Sequence, residues 1–327
     1  MNLRDRGMGK KVRVCFHDRC FDGTSSAAVF SRFYRECFDP QAEFRYTGLV
    51  HRPANALFDE ETFDGDENVV VDFKYSSSPK LDWWFDHHQS AFLSPEDAEH
   101  FRRDRSGKKF YDPSYKSCTK FLATVARDKF RFRPEPLAEL IHWADIIDGA
   151  QYESPEAAVK VNVAATQVAL VIEGSIDPQL TTRLIPELAS RSLEEIARLP
   201  YVAEEFGELY RRQEKALEIL RRQAEYDRGV VYFDITDCPL EGYNKFIPYY
   251  LYADCIYSVG LSRSSQRIKV AVGSNPWKKP AKESNLASLC ERYGGGGHAR
   301  VAAISFAPEE LEVARKAGRE IAATLRR

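Results

Sequence analysis

Three short apolar runs early in the chain each end on residues that carry charge or bind metal. Lys11 to Phe16 (KVRVCF) leads into His17-Asp18, Asn68 to Val71 (NVVV) into Asp72, and Leu81 to Phe85 (LDWWF) into Asp86-His87-His88. Runs of this length bounded by turns read as strands, and a fourth is expected at Glu43 to Leu49. Helical patterns fall between them, beginning with the small-residue stretch Thr24 to Ala28 after the polar turn His17 to Gly23. Apolar strands alternating with helices specify an α/β fold with a mostly parallel sheet flanked by helices. In such a sheet ligands gather beyond the carboxyl ends of the strands, so the three segments are expected to meet in one crevice.

Imidazoles and carboxylates that converge are ligands for divalent ions such as Mn²⁺, Zn²⁺ or Fe. Asp22 in the first turn and Asp145 in WADIID enlarge the set. Each residue also has an ordinary reading. An aspartate after a strand commonly caps a helix or forms a turn, and adjacent histidines are often a surface pair. The weight lies on the joint pattern.

From Ser117 to about Arg222 the pattern is helical and ends in a long charged stretch, SLEEIARLPYVAEEFGELYRRQEKALEILRRQ. Its sparse apolar positions predict a solvated connecting helix. Strands then recur at 229–234, 255–261 and 268–272, followed by a helix at 285–293, a strand at 301–306 and a final helix. The expected division is a metal-binding domain over 1–190, a helical linker over 191–226 and a smaller mixed α/β domain over 227–327. Within the last, Gly294-Gly295-Gly296-Gly297-His298 joins LASLCERY to VAAISF. Glycines there let backbone N–H groups approach a phosphate or carboxylate closely, with His298 donating to the same anion. The plain alternative is a flexible loop.

Charge narrows the partners. Lys plus Arg is 47 against 49 for Asp plus Glu, so no overall positive field holds long nucleic acid or an anionic membrane. The seven cysteines are scattered without a C-x-x-C pair, which fits reduced thiols and a cytoplasmic setting. No apolar run approaches the ~18 residues of a membrane span, and the charged N-terminus does not read as a secretory signal.

Taken in order, these segments resemble the DHH phosphoesterase superfamily, in the branch with a C-terminal DHH-associated domain marked by GGGGH. The chain is similar to RecJ-like and nano-RNase or oligoribonuclease-type phosphoesterases. His17-Asp18-Arg19-Cys20-Phe21-Asp22-Gly23 matches the first motif in a variant with a cysteine two residues before Asp-Gly. Asp72 matches the second motif, Asp86-His87-His88 the third and Asp145 the fourth, with Asp148 in reserve. The resemblance implies His17, Asp22 and Asp72 on one divalent ion, and Asp72, His87 and Asp145 on its neighbour. Manganese is the usual ion, with Mg²⁺ or Co²⁺ as substitutes. Such a pair polarises phosphoryl oxygens and activates a water. It further implies that His88 serves the leaving group and that Asp86 orients a neighbouring ligand.

Two departures stand out. Thr24 occupies a position where many relatives carry a further aspartate, which predicts weaker binding of the second ion. The stretch Val272 to Trp277 lacks an arginine common in relatives, leaving phosphate gripping to Gly295, Gly296, Gly297, His298, Asn275, and Arg263 or Arg300. The expected function is hydrolysis of phosphodiester or phosphomonoester bonds in a small nucleotide or short oligonucleotide. Long duplex DNA and membranes are not expected partners, and the chain is expected to be a monomer or homodimer. The competing reading is a non-catalytic nucleotide-binding or regulatory protein with a degenerate metal site.

Overall fold

A computed structural model describes residues 9–50, 58, 60–238, 240, 242–279 and 283–326. Two compact units divide the chain, one formed by Met1–Gln151 with Asn162–Phe206, the other by Tyr152–Val161 with Gly207–Arg327.

The first unit opens with β1 (Lys11–His17), α1 (Phe21–Cys37), β2 (Glu43–Leu49), β3 (Glu67–Val71), β4 (Trp83–Asp86), α2 (Pro95–Arg103) and β5 (Lys109–Tyr111). The strands form one sheet in the order β2-β1-β3-β4-β5, every neighbouring pair parallel. All residues of β3 and β4 are buried, as befits central strands covered on both faces, and this explains the unbroken apolar runs Val69–Val71 and Trp83–Phe85 within them. The short β5 carries Lys109 and gives no such signal in the sequence.

Helices follow: α3 (Cys118–Phe130), α4 (Ala138–Asp148), α5 (Pro155–Val159), α6 (Ala164–Gly174), α7 (Leu180–Leu188), α8 (Leu193–Ala197) and α9 (Pro200–Gln223). Nearly all of α1 is buried, from Phe21 through Tyr34 save Arg32. It packs against α3, α4 and α7. The small residues of its first half permit this approach, and Ser26 and Thr119 hydrogen-bond through their hydroxyls across it at 3.0 Å. Farther along, Phe30 and Phe33 meet Trp83 edge-on, the arrangement that aromatic quadrupoles favour.

The unit boundary falls inside α9, after Phe206. Beyond it the helix is not wholly solvated. Leu209, Gln213, Ala216 and Leu220 form a buried stripe at helical spacing, and Gln213 Nε2 donates to the Val159 carbonyl.

The second unit continues with β6 (Glu225–Asp227), β7 (Val230–Asp234), α10 (Ile247–Leu251), β8 (Tyr257–Arg263), β9 (Ile268–Ser274), α11 (Leu286–Glu291), β10 (Gly296–His298), β11 (Val301–Phe306) and α12 (Leu311–Leu325). The sheet order is β10-β11-β9-β8-β7-β6. Only β7 and β8 are parallel among its pairs. β9 alternates buried and half-buried positions along its whole length, the period of a strand with one face on a core. Ala314, Ala317, Ile321 and Leu325 of α12 join that core. Among the described residues no helix is long and apolar enough to cross a membrane.

Candidate metal centre

In the first sheet β1 lies between β2 and β3, so the chain leaves β1 toward one side and later builds on the other. A crevice opens at such a switch point, at the carboxyl ends of the strands. His17 ends β1, Asp72 directly follows β3, and Asp86-His87-His88 closes β4.

Local geometry fixes each donor. A tight turn after His17, with Arg19 at φ 52°, brings Cys20 to the start of α1 and Asp22 into its first turn. Gly23 is required here, because a Cβ would sit 2.2 Å from the His17 carbonyl oxygen. Asp72 adopts the left-handed conformation, φ 56°, which aspartate tolerates better than most residues. Its N–H donates to the Phe85 carbonyl at 2.9 Å, and its carboxylate is buried.

The donors fall into groups that share residues: His17, Cys20 and Asp72; Asp72, His87 and His88; and Asp22, His87 and Asp148. Within each, the candidate ligand atoms all lie within 4.8 Å of one another. His17 Nδ1 is 3.4 Å from Asp72 Oδ2. His87 Nε2 is 3.4 Å from Asp72 Oδ1, 3.5 Å from Asp148 Oδ2 and 3.6 Å from Asp22 Oδ2. Asp72 thus stands between the first and last groups. Both Asp72 oxygens and His87 Nε2 are buried without a hydrogen-bond partner, a costly state unless another species satisfies them.

Charge points the same way. Three carboxylates converge on His87, and they hold it up to about 10 against the burial that pulls it down. Burial likewise opposes, and Asp86 and Asp72 outweigh it, in holding His88 up to about 9. Burial raises Asp72, but the facing His17 and His87 and the charge of His88 bring it below the ordinary carboxylate range. Burial and then the charges of Asp72 and Asp148 push Asp22 well above it. The Cys20 thiol is pushed up by burial and by the surrounding carboxylates. The cluster demands positive charge, and a divalent cation meets that demand with the donor set present.

Neighbouring bonds orient the donors. His87 Nδ1 lies 3.2 Å from the Tyr115 carbonyl, which assigns the proton to Nδ1 and leaves Nε2 as the ligating atom. His88 Nδ1 lies 2.7 Å from Asp86 Oδ1, and that same oxygen accepts the backbone N–H groups of His87 and His88. Asp22 also braces a neighbouring helix, accepting the backbone N–H groups of Cys118 at 2.6 Å and Thr119 at 2.9 Å. Those are the first two residues of α3, whose N-terminal donors need such partners.

Several expected placements change. The structure brings Asp148, not Asp145, to His87. Asp145 faces α3, accepting from Lys120 Nζ at 2.8 Å and Ser117 Oγ at 3.3 Å. Asp22 groups with His87 and Asp148 rather than with His17, and Cys20 stands in the His17 group instead. Nothing in the apolar pattern marks Cys20; the signal was its place three residues after His17 across the turn into α1. The Thr24 hydroxyl donates to the Cys20 carbonyl at 2.8 Å, so it is spent on helix backbone.

In the second unit the glycine segment is partly an edge strand. A Cβ on Gly295 would lie 2.5 Å from the Ala303 carbonyl oxygen, and Gly297, at φ 144°, would meet the Val301 carbonyl at the same distance. These two glycines are therefore demanded by packing on β11, while Gly296 faces open space and His298 is exposed. A cavity of about 180 Å³ is lined by Tyr257, Ser274, Ser284, Asn285 and Arg300, among others. Arg300 is held there by Ser274 Oγ and the Asn275 carbonyl. Asn275 itself is buried, with Nδ2 donating to the Cys255 carbonyl and Oδ1 accepting from the Trp277 N–H; its side chain is committed to the fold. Arg263 lies at the opposite end of β8 from Tyr257.

No family model and no curated protein matches the chain. Solved structures do. PggH from Vibrio cholerae, described as a pGpG-specific phosphodiesterase, superposes with a TM-score of 0.70 at 21% identity, over 96% of this chain and 99% of that one. The DHH domain of a protein described as belonging to a family of ribosomal proteins gives 0.54 at 15%, over 95% and 86%. RecJ from Thermus thermophilus in complex with Mn²⁺ gives 0.51 at 15%, over 97% of this chain and 52% of RecJ. The chain shares the fold of these proteins, one of them a DHH domain: an α/β unit with a parallel five-stranded sheet and a smaller mixed unit. Its Asp86-His87-His88 segment lies at the carboxyl end of β4, within the cluster.

Proposed function

We propose that the first unit is a divalent-metal phosphoesterase that hydrolyses phosphodiester or phosphomonoester bonds of a small nucleotide or short oligonucleotide. The observation that carries this reading is Asp72, a buried carboxylate with no hydrogen-bond partner on either oxygen, placed between two groups of imidazole, thiol and carboxylate donors. His17, Cys20 and Asp72 would hold one ion, and Asp72, Asp22, His87 and Asp148 a second. Two such ions supply charge neutralisation of the phosphoryl group and acidification of a water.

The protein's own groups do the rest. His88 has its Nδ1 tied to Asp86 and a side chain 37% exposed, against 8% for His87, so its Nε2 meets the substrate as proton donor to the leaving oxygen. Asp86 fixes that ring. In the second unit Arg300, beside its cavity, and His298 bind a substrate phosphate. The TM-score of 0.70 to a protein described as a pGpG phosphodiesterase supports the choice of a small nucleotide substrate, and the near balance of charge agrees with it.

The test is a panel of 5′-phosphorylated dinucleotides, longer oligonucleotides, mononucleotides and long duplex DNA, assayed with added Mn²⁺. Turnover of the short substrates, lost in Asp72→Asn, is expected. Measured binding of nucleotide without any turnover across the panel would favour a purely regulatory protein instead.

A further inference from the structure

Two of the three donor groups differ in kind. One combines an imidazole, a carboxylate and a thiol, whereas the other is built from carboxylates and one imidazole. We propose that Cys20 is a thiolate ligand of the first ion position, and that its sulfur biases this position toward Zn²⁺, Co²⁺ or Fe²⁺ and against Mg²⁺. The inference rests on the metal-centre reading above and adds to it that Cys20 binds as the thiolate, and the metal class that this selects.

Three observations support it. The Cys20 sulfur shares its group with the nitrogen of His17 and the oxygen of Asp72, all within 4.8 Å. Asp72 in the same group is 1% exposed and has no hydrogen-bond partner on either oxygen, so the buried face opposite the sulfur calls for a cation. Cys20 is also the N-cap of α1, yet it makes no side-chain cap bond. Serine, threonine or aspartate would serve a helix start better, so capping does not account for a cysteine there.

The consequence for metal choice follows from ligand softness. Thiolate is a soft donor that suits zinc and iron, whereas Mg²⁺ prefers hard oxygen ligands. The group of Asp22, His87 and Asp148, with Asp72 Oδ1 3.4 Å from His87 Nε2, lacks sulfur, so it accepts harder ions. On binding at the first position the thiol gives its proton to solvent. Among the described residues Cys20 is the one cysteine found in a ligand group. A sulfur signature on a bound ion is therefore assignable to it.

Cobalt reports this directly, independent of catalysis. The full chain, stripped of metal, is titrated with Co²⁺ while bound ions are counted by equilibrium dialysis and the near-ultraviolet spectrum is recorded. A sulfur-to-cobalt charge-transfer band is expected in the wild type and absent in Cys20→Ser and Cys20→Asp. Cys20→Asp should keep the ion count, and its preference for Co²⁺ over Mg²⁺ should fall by about tenfold or more, as oxygen replaces sulfur. Co²⁺ bound by the wild type without the band, or a band that survives in Cys20→Ser, overturns the assignment while leaving the metal centre intact. A wild type that binds no divalent ion overturns the metal centre itself. If Cys20→Ser fails to fold, the wild-type spectrum and Cys20→Asp still decide.

Discussion

Asp86 holds His88 from behind: one carboxylate oxygen takes the imidazole Nδ1 at 2.7 Å and also accepts the backbone N–H groups of His87 and His88. The ring is fixed together with the turn that carries it. Asp86→Asn preserves an accepting oxygen but removes the charge, so the fold and the bound metal should persist while kcat falls about 10- to 100-fold with little change in KM. His88→Ala should lose about 10²- to 10⁴-fold, the range of a positioned proton donor. Loss of metal from Asp86→Asn would show instead that this carboxylate supports a ligand.

Asp145 and Asp148 share α4 but face different neighbours, and metal counting separates them. Asp148→Ala should lower the number of ions retained at limiting metal, because its carboxylate is 3.5 Å from His87 Nε2. Asp145→Ala should leave that number unchanged. It should cost about 0.5–1 kcal/mol of stability through the half-exposed Lys120 pair, after allowance for solvent screening. The opposite pattern would return the ligand role to Asp145.

Glu67 is a stability site with a defined pH dependence. Its carboxylate takes Lys10 Nζ at 3.0 Å, Lys108 Nζ at 3.1 Å and Trp83 Nε1 at 2.8 Å. Burial works to raise it, but these three partners win and hold it below the usual glutamate value of 4.5. A depressed folded-state value adds stability above the unfolded value and loses it as pH falls through the folded one. Glu67→Gln should therefore lose about 1 kcal/mol near neutrality, a figure reduced for screening by solvent. The gap from wild type should close below pH 4.5 in urea titrations at several pH values; a gap constant across that window would exclude the charge as its source.

Arg300 lines the cavity of the second unit, while its guanidinium also meets Ser274 and the Asn275 carbonyl. Arg300→Ala should raise KM about tenfold or more, with kcat within about twofold and metal content unchanged, the signature of binding shared by ground and transition states. A fall in kcat at constant KM would place Arg300 in the chemistry.

Most strands of the sheets were legible because their apolar residues run together or alternate between turns, and β2 falls where the pattern predicts it, at Glu43–Leu49. Short edge strands were not, since Lys109–Tyr111 and Gly296–His298 owe their conformation to the neighbours they pair with. Convergence of His17, Asp72 and His87 follows from strand ends alone. The choice between Asp145 and Asp148 does not, because three residues on a helix is nearly a full turn and only tertiary packing decides which carboxylate meets Lys120 and which meets His87. Cys20 was hidden for a related reason: a cysteine at a helix start carries no periodic signal.

The bonds from Asp22 to the first N–H groups of α3 couple inheritance of the fold to inheritance of the site. A descendant that no longer needed the metal would lose the constraint that an ion places on His17 and Asp148. At Asp22 it would meet a second selective force, since removing that carboxylate leaves two buried helix-end donors unsatisfied at a cost of about 1–3 kcal/mol each. Relics of this lineage that have lost catalysis should therefore keep an aspartate or asparagine at that position after the histidines have gone, so a surviving Asp22 alone is poor testimony to activity.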